Sequence, residues 1–243
     1  MGDPRLQHIA ENFDHMKRDL NDTFRFHCTQ CGKCCINRKD ILMSPQDVFK
    51  AAQALQMTPH DFVKLYCDCY LGSTSRMPIV RLMPRGSIKR CPLLKNRKCM
   101  IHDAKPAVCA MFPLGRAIRI DKKDAEKDKL PPMKVEYIIN DIDCGDNSET
   151  HTVKGWLESF GIPLNDEYFI EWQKTISLLS PRIQKLEKML SDEVCDKFID
   201  VLFIKLYLDY DMKADFFPQF VENAGDCVKM VKMVLALQNE EAV

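Results

Sequence analysis

Four thiols fall within eight positions in the run Phe26-His27-Cys28-Thr29-Gln30-Cys31-Gly32-Lys33-Cys34-Cys35, a density that apolar packing does not call for. Cys28, Cys31 and Cys34 follow C-x2-C-x2-C, the spacing that lets three thiolates meet three irons of a cubane while a fourth ligand comes from elsewhere. The same tripod suits a tetrahedral zinc ion, whose ligand pairs often stand two to four residues apart. Gly32 supplies the positive φ that a chain wrapped about a metal commonly needs. Neighbouring side chains of an extended segment point to opposite sides, so Cys34 and Cys35 are poorly placed to hold one ion. The run implies two metal centres or one larger one.

A second group lies downstream: Cys91-Pro92, Cys99-Met100-Ile101-His102, Lys105-Pro106-Ala107-Val108-Cys109-Ala110-Met111-Phe112-Pro113, and Cys144-Gly145. From about Phe26 to Cys144 the array resembles the YkgJ-type cysteine-cluster family, described in general terms as zinc- or iron-chelating, or as iron–sulfur-cluster-containing. In that family an aromatic residue and C-x2-C-G-x-C-C are followed by C-P, by C-x-I-H or C-x-I-Y, and by R-P-x-x-C-R-x-F-P. The resemblance implies that Cys28, Cys31, Cys34, Cys35, Cys91, Cys99, Cys109 and Cys144 bind metal. Lys105 and Ala110 stand where the family has arginines, so the cysteines carry over and any role of those arginines does not. Cys99 and His102 are spaced so that both can reach one metal. His102 sits where the family accepts tyrosine, however, and is expected to hydrogen-bond a ligand.

Twelve cysteines in 243 residues would suit a disulfide framework in a secreted chain. The segment from Met1 to Asp14 has no apolar h-region, and no run approaches the ~20 apolar residues of a membrane-spanning helix. A cytoplasmic chain with metal-ligating thiols is expected. Thirty-five basic residues balance thirty-five acidic ones, which leaves no long-range field to attract nucleic acid or an anionic membrane. The charged run 122–129 alternates in sign and reads as a solvated loop between two strands.

An α+β fold is expected, with a cysteine-cluster domain over residues 1–150 and a helical region over 151–243. Leu6, Ile9, Phe13, Met16 and Leu20 predict an amphipathic helix over 5–20 with His8 and His15 on its surface, and Thr23–Phe26 a strand leading into the metal loop. Ser44-Pro45-Gln46-Asp47 and Thr58-Pro59-His60-Asp61 read as two helix starts, with Val48, Phe49, Leu55, Phe62 and Leu65 facing the core. Cys67 and Cys69 at the end of the second helix form a C-x-C pair that could add a ligand set, but they read more simply as small apolar filler, since alternate helical residues do not share a face. Met77–Met83 reads as a strand and Arg85-Gly86-Ser87 as a turn. Pro106 can open a short helix carrying Cys109 before an apolar wall of Met111, Phe112 and Pro113. Residues 116–121 and 133–140 predict an antiparallel hairpin that returns Cys144 to the other thiols. Beyond Thr152, helices are predicted over 165–190, after an Asp192 cap, and over 217–237, with Cys195 and Cys227 as core residues.

The leading functional expectation is an iron–sulfur protein with one or two [4Fe–4S] clusters and an electron-transfer or oxidoreductase-like role, implying a redox partner protein. The alternatives are a structural or chelating zinc protein and an accessory to protein modification, because flagellin lysine N-methylases resemble this cysteine array. Neither a glycine-rich nucleotide loop nor a catalytic-triad motif is present, so no reaction is singled out.

Overall fold

Short strands and helices alternate through the first half of the chain and long helices fill the second, as the α+β expectation requires. The computed structural model describes residues 4–36, 41–120 and 133–241. In chain order it contains α1 (Pro4–Met16), β1 (Lys17–Arg18), β2 (Thr23–His27), β3 (Leu42–Met43), α2 (Pro45–Ala54), α3 (Pro59–Tyr66), β4 (Cys67–Leu71), β5 (Pro78–Leu82), β6 (Leu94–Lys95) and β7 (Lys98–Cys99). There follow α4 (Ala107–Met111), β8 (Leu114–Ile120), β9 (Met133–Ile139), β10 (Asp146–Thr152), α5 (Val153–Ser159), α6 (Glu167–Leu186), α7 (Asp192–Phe203) and α8 (Phe216–Glu241). Among the described residues no helix is long and apolar enough to cross a membrane.

Contacts group the chain into two interleaved units: Met1–Cys34 with Ala107–Asp166, and Cys35–Pro106 with Glu167–Val243. The change of sequence character near residue 150 falls inside the first unit.

In the first unit β8 and β9 form the predicted hairpin, Leu114 opposite Ile139 through Ile120 opposite Met133; the charged run read as its loop lies outside the described residues. The helix expected over 5–20 stops at Met16, because Lys17 and Arg18 pair with the free edge of β9. Lys17 Nζ also donates to Glu136 Oε1 at 2.8 Å, and a carboxylate whose side chain is 2% exposed needs such a partner. His8 and His15 lie on the surface as expected.

Strand β10 pairs antiparallel with β2, with Thr150, His151 and Thr152 opposite Arg25, Phe24 and Thr23, and Asp146 opposite His27 beyond an irregularity. The alternation Thr23-Phe24-Arg25-Phe26 turns both phenylalanines inward. They pack with Met111, Leu114, Tyr137, Cys144, Trp156 and Leu157 in one apolar core. The Trp156 indole N–H donates to the Met111 carbonyl at 3.0 Å, satisfying both buried groups.

In the second unit β3, β5 and β4 form a three-stranded antiparallel sheet in that order. Helix α2 starts as predicted: Ser44 and Asp47 form a reciprocal capping box with Pro45 in the first turn. Val48, Phe49 and Phe62 are buried, but Leu65 is 48% exposed and Val63 takes the inward position. Phe49 meets Tyr210 and Phe216, and Tyr168 meets Phe216 and Phe220, so the C-terminal helices share a core with α2. Arg76 binds Glu187 with Nε at 2.7 and 2.9 Å from the two carboxylate oxygens. The N-cap of α7 is Ser191 and not Asp192, which is its first helical residue.

Candidate metal centres

The first unit contains Cys28, Cys31, Cys34, Cys109 and Cys144. Cys28 leaves the end of β2 and is exposed, while Cys31 and Cys34 are half-buried and pack against the apolar core. The loop turns through left-handed conformations at Gln30 (φ 52°) and Gly32 (φ 77°), as expected for Gly32. Backbone N–H groups of Lys33 and then Gly145 donate to the Cys31 sulfur and hold its thiol below the ordinary range, since hydrogen bonds to a thiolate favour the charged form. Cys144 is buried beside this loop. Burial, then Cys34 and Cys31, then Asp143 and Cys28, push its thiol up to about 11. Cys144 belongs to the same apolar core that Cys31 and Cys34 pack against, and His27 and Asp146, which flank the two segments, pair although they are 119 positions apart.

At Gly145 (φ 71°) the two segments approach closely: a Cβ there would strike the His27 carbonyl and the Phe26 ring. Cys109 is half-buried on the five-residue α4. Met111, Phe112 and Ala107 from the same stretch line the core that Cys31 and Cys34 touch, which is the apolar wall the sequence predicts.

The second unit contains Cys35, Cys91 and Cys99, all half-buried. The Cys91 N–H donates to the Cys35 carbonyl at 2.8 Å, and the Leu94 N–H folds back on the Cys91 carbonyl at 3.1 Å. Strands β6 and β7 then pair with Leu94 opposite Cys99. Their two-residue turn places Asn96 (φ 50°) and Arg97 (φ 62°) in the left-handed region, the conformation that matches hairpin twist. His102 is exposed at the start of a 3-10 turn over His102–Ala104.

Cys67 and Cys69 require a correction of local geometry. Helix α3 ends at Tyr66, so both lie on β4, where alternate residues share a face. Cys67 is buried and Cys69 exposed. Burial, then Cys69, Asp68 and Cys91, drive the Cys67 thiol well above the ordinary range. Cys227 is buried on α8, its thiol pushed up to about 12 chiefly by burial, whereas Cys195 is half-buried on α7.

A polar rim on the β2–β10 ribbon escaped the sequence reading. His27 Nδ1 lies 3.3 Å from Asp146 and its Nε2 3.7 Å from Glu149. His151 Nε2 lies 3.3 Å from Glu149 and 2.9 Å from the Phe26 carbonyl. The alternation Thr150-His151-Thr152 was the available signal, but the strand has no buried residue.

Among the described residues no three His, Cys, Asp or Glu side chains are gathered so as to hold a metal ion as they stand. The chemistry of the donor set nevertheless fits a thiophilic metal. Thiols that raise one another's pKa are costly to ionise together, and a cation removes that repulsion while favouring every thiolate. Backbone N–H groups aimed at a sulfur are a recurrent support of metal-bound thiolates, tuning their charge.

No curated protein and no solved structure matches the chain. A family model, CxxCxxCC, matches residues 27–133 and is described as "Putative zinc- or iron-chelating domain". The match includes Cys28 through Cys109 and ends before Cys144. Residues 27–133 thus match the model of a zinc- or iron-chelating family, the cysteine-cluster family that the spacing resembles.

Proposed function

We propose that the protein binds metal at two thiolate centres, one per unit, and that the first carries a [4Fe–4S] cluster serving electron transfer. The observation that carries this reading is that Cys31, Cys34 and Cys144 meet in one apolar core beside the pairing of His27 with Asp146, with backbone N–H donors on the Cys31 sulfur. In the first unit Cys28, Cys31 and Cys34 supply the tripod, with the fourth thiolate from Cys144 or Cys109; in the second, Cys35, Cys91 and Cys99 are the donors. When bound, an iron–sulfur cluster supplies one-electron chemistry. The chain's own contribution is shielding by Phe26, Met111 and Phe112 on one side and exposure at Cys28 on the other, a side open to a redox partner.

A zinc reading keeps the same ligands and makes both centres structural. The separating experiment is purification of the full chain without oxygen, followed by iron, zinc and acid-labile sulfide counts. Iron with equimolar sulfide and a brown colour supports the cluster; zinc without sulfide replaces it with the structural reading; absence of both metals from folded protein overturns metal binding.

A further inference from the structure

The second unit as read so far offers three thiols, whereas a closed structural zinc site or a cubane takes four ligands. We infer that Cys67 supplies the fourth sulfur of the second unit's centre, beside Cys35, Cys91 and Cys99. Nothing in the family pattern includes this residue, and the inference rests on the two-centre reading above.

The backbone delivers Cys67 to that place through a chain of short contacts. Cys67 stands opposite Leu82 across the β4–β5 pair, and the Met83 N–H donates to the Tyr66 carbonyl at 2.8 Å, extending the pairing past the strand end. Two residues on, Arg85 and Arg90 form an isolated bridge, each N–H donating to the other's carbonyl at 2.8 Å. Gly86 (φ 71°) turns the intervening loop. The polypeptide that leaves Cys67's partner strand is thereby folded straight back, and its next residue is Cys91. The Cys91 N–H is bonded to Cys35 at 2.8 Å. Cys67, Cys91 and Cys35 are therefore linked by consecutive backbone pairings, and the β6–β7 hairpin adds Cys99.

Burial separates Cys67 from its neighbours. Cys67 is 9% exposed, whereas Cys69, two positions along the same strand, is exposed. His102, the other candidate for the fourth place by its spacing from Cys99, is exposed as well.

The test uses the full chain, stripped by chelator and reloaded with zinc alone, or with cobalt(II) alone to read the sulfur-to-metal charge-transfer band. Cys67→Ser and Cys91→Ser are each expected to halve the zinc bound per chain, as is Cys31→Ser through the other centre. Cys69→Ser and His102→Ala are expected to leave both zinc and the cobalt band unchanged. Full zinc and an unaltered cobalt band in Cys67→Ser, with Cys91→Ser halved, overturn the inference and leave two centres standing; so does halving by His102→Ala in place of Cys67→Ser. Full zinc in Cys91→Ser overturns the two-centre reading itself. Should Cys67→Ser lose its helical circular dichroism, N-ethylmaleimide labelling of the wild-type chain decides. Chelation is expected to raise labelling of Cys67 at least tenfold relative to Cys227, and labelling of Cys67 that ignores chelation overturns the inference.

Discussion

The two units gather their thiols by opposite means. In the first, the tripod and Cys144 belong to distant segments brought together by the β2–β10 ribbon and the apolar core beside it, so their approach is a product of long-range closure. In the second, Cys91 and Cys99 are placed by turns a few residues long, the Leu94–Cys91 return and the Asn96-Arg97 hairpin. Local turns form cheaply, whereas distant segments meet only after chain entropy has been overcome. A lesion in the β2–β10 ribbon is therefore expected to disable the first centre while leaving the locally turned Cys91–Cys99 pair of the second in place.

The strongest challenge to this contrast is Cys31→Ser. It should abolish metal at the first centre and leave the share held by the second, as read by metal and sulfide analysis. Loss of all metal would mean that the centres are not independent. Because the ligands bind as thiolates and Cys144 is held up to about 11 by burial and neighbouring thiols, metal uptake must release protons and apparent affinity must climb with pH. A pH-indicator titration checks this, and uptake without proton release would contradict thiolate ligation.

Gly145→Val probes closure itself. A β-branched residue at φ 71° that also strikes the His27 carbonyl should cost about 3 kcal/mol and lower metal content only at the first centre. Trp156→Phe removes the donor to the buried Met111 carbonyl and should cost about 2 kcal/mol in denaturant unfolding. Ser44→Ala, which breaks the α2 capping box in the second unit, should cost about 1 kcal/mol and leave metal stoichiometry untouched. The smallest effect is expected from Cys227→Ala, with metal content equal to wild type.

Much of this arrangement is legible in the sequence because periodicity and capping are local signals. The Ser44 box, the Thr58 start, the 114–139 hairpin and the positive φ at Gly32 all follow from residues within a few positions of one another. What escaped reading depends on partners far along the chain. Lys17 and Arg18 leave the helical pattern because β9 offers them an edge and Glu136 a buried charge. Strand β10 has no apolar alternation, since backbone pairing with β2 and the close fit at Gly145 fix its place. Cys67 and Cys69 were read on a helix end because nothing local marks Tyr66 as the last helical residue; their pairing with Leu82 and Val80 decides it. For the thiols, spacing indicated the metal class, while Cys34 and Cys35, expected in an extended segment, lie in a 3-10 turn over Lys33–Cys35 at the boundary between the two units.

The β2–β10 ribbon also sets a timetable for biosynthesis. During translation Cys28, Cys31, Cys34 and Cys35 emerge early, yet the ribbon cannot zip until the ribosome has released the segment beyond Cys144. Throughout that interval the nascent tripod is an incomplete chelator, open to oxidants and to mismatched ions. On the two-centre proposal, the order of synthesis puts closure of the first thiol set after β10 has emerged and before the C-terminal helices are made.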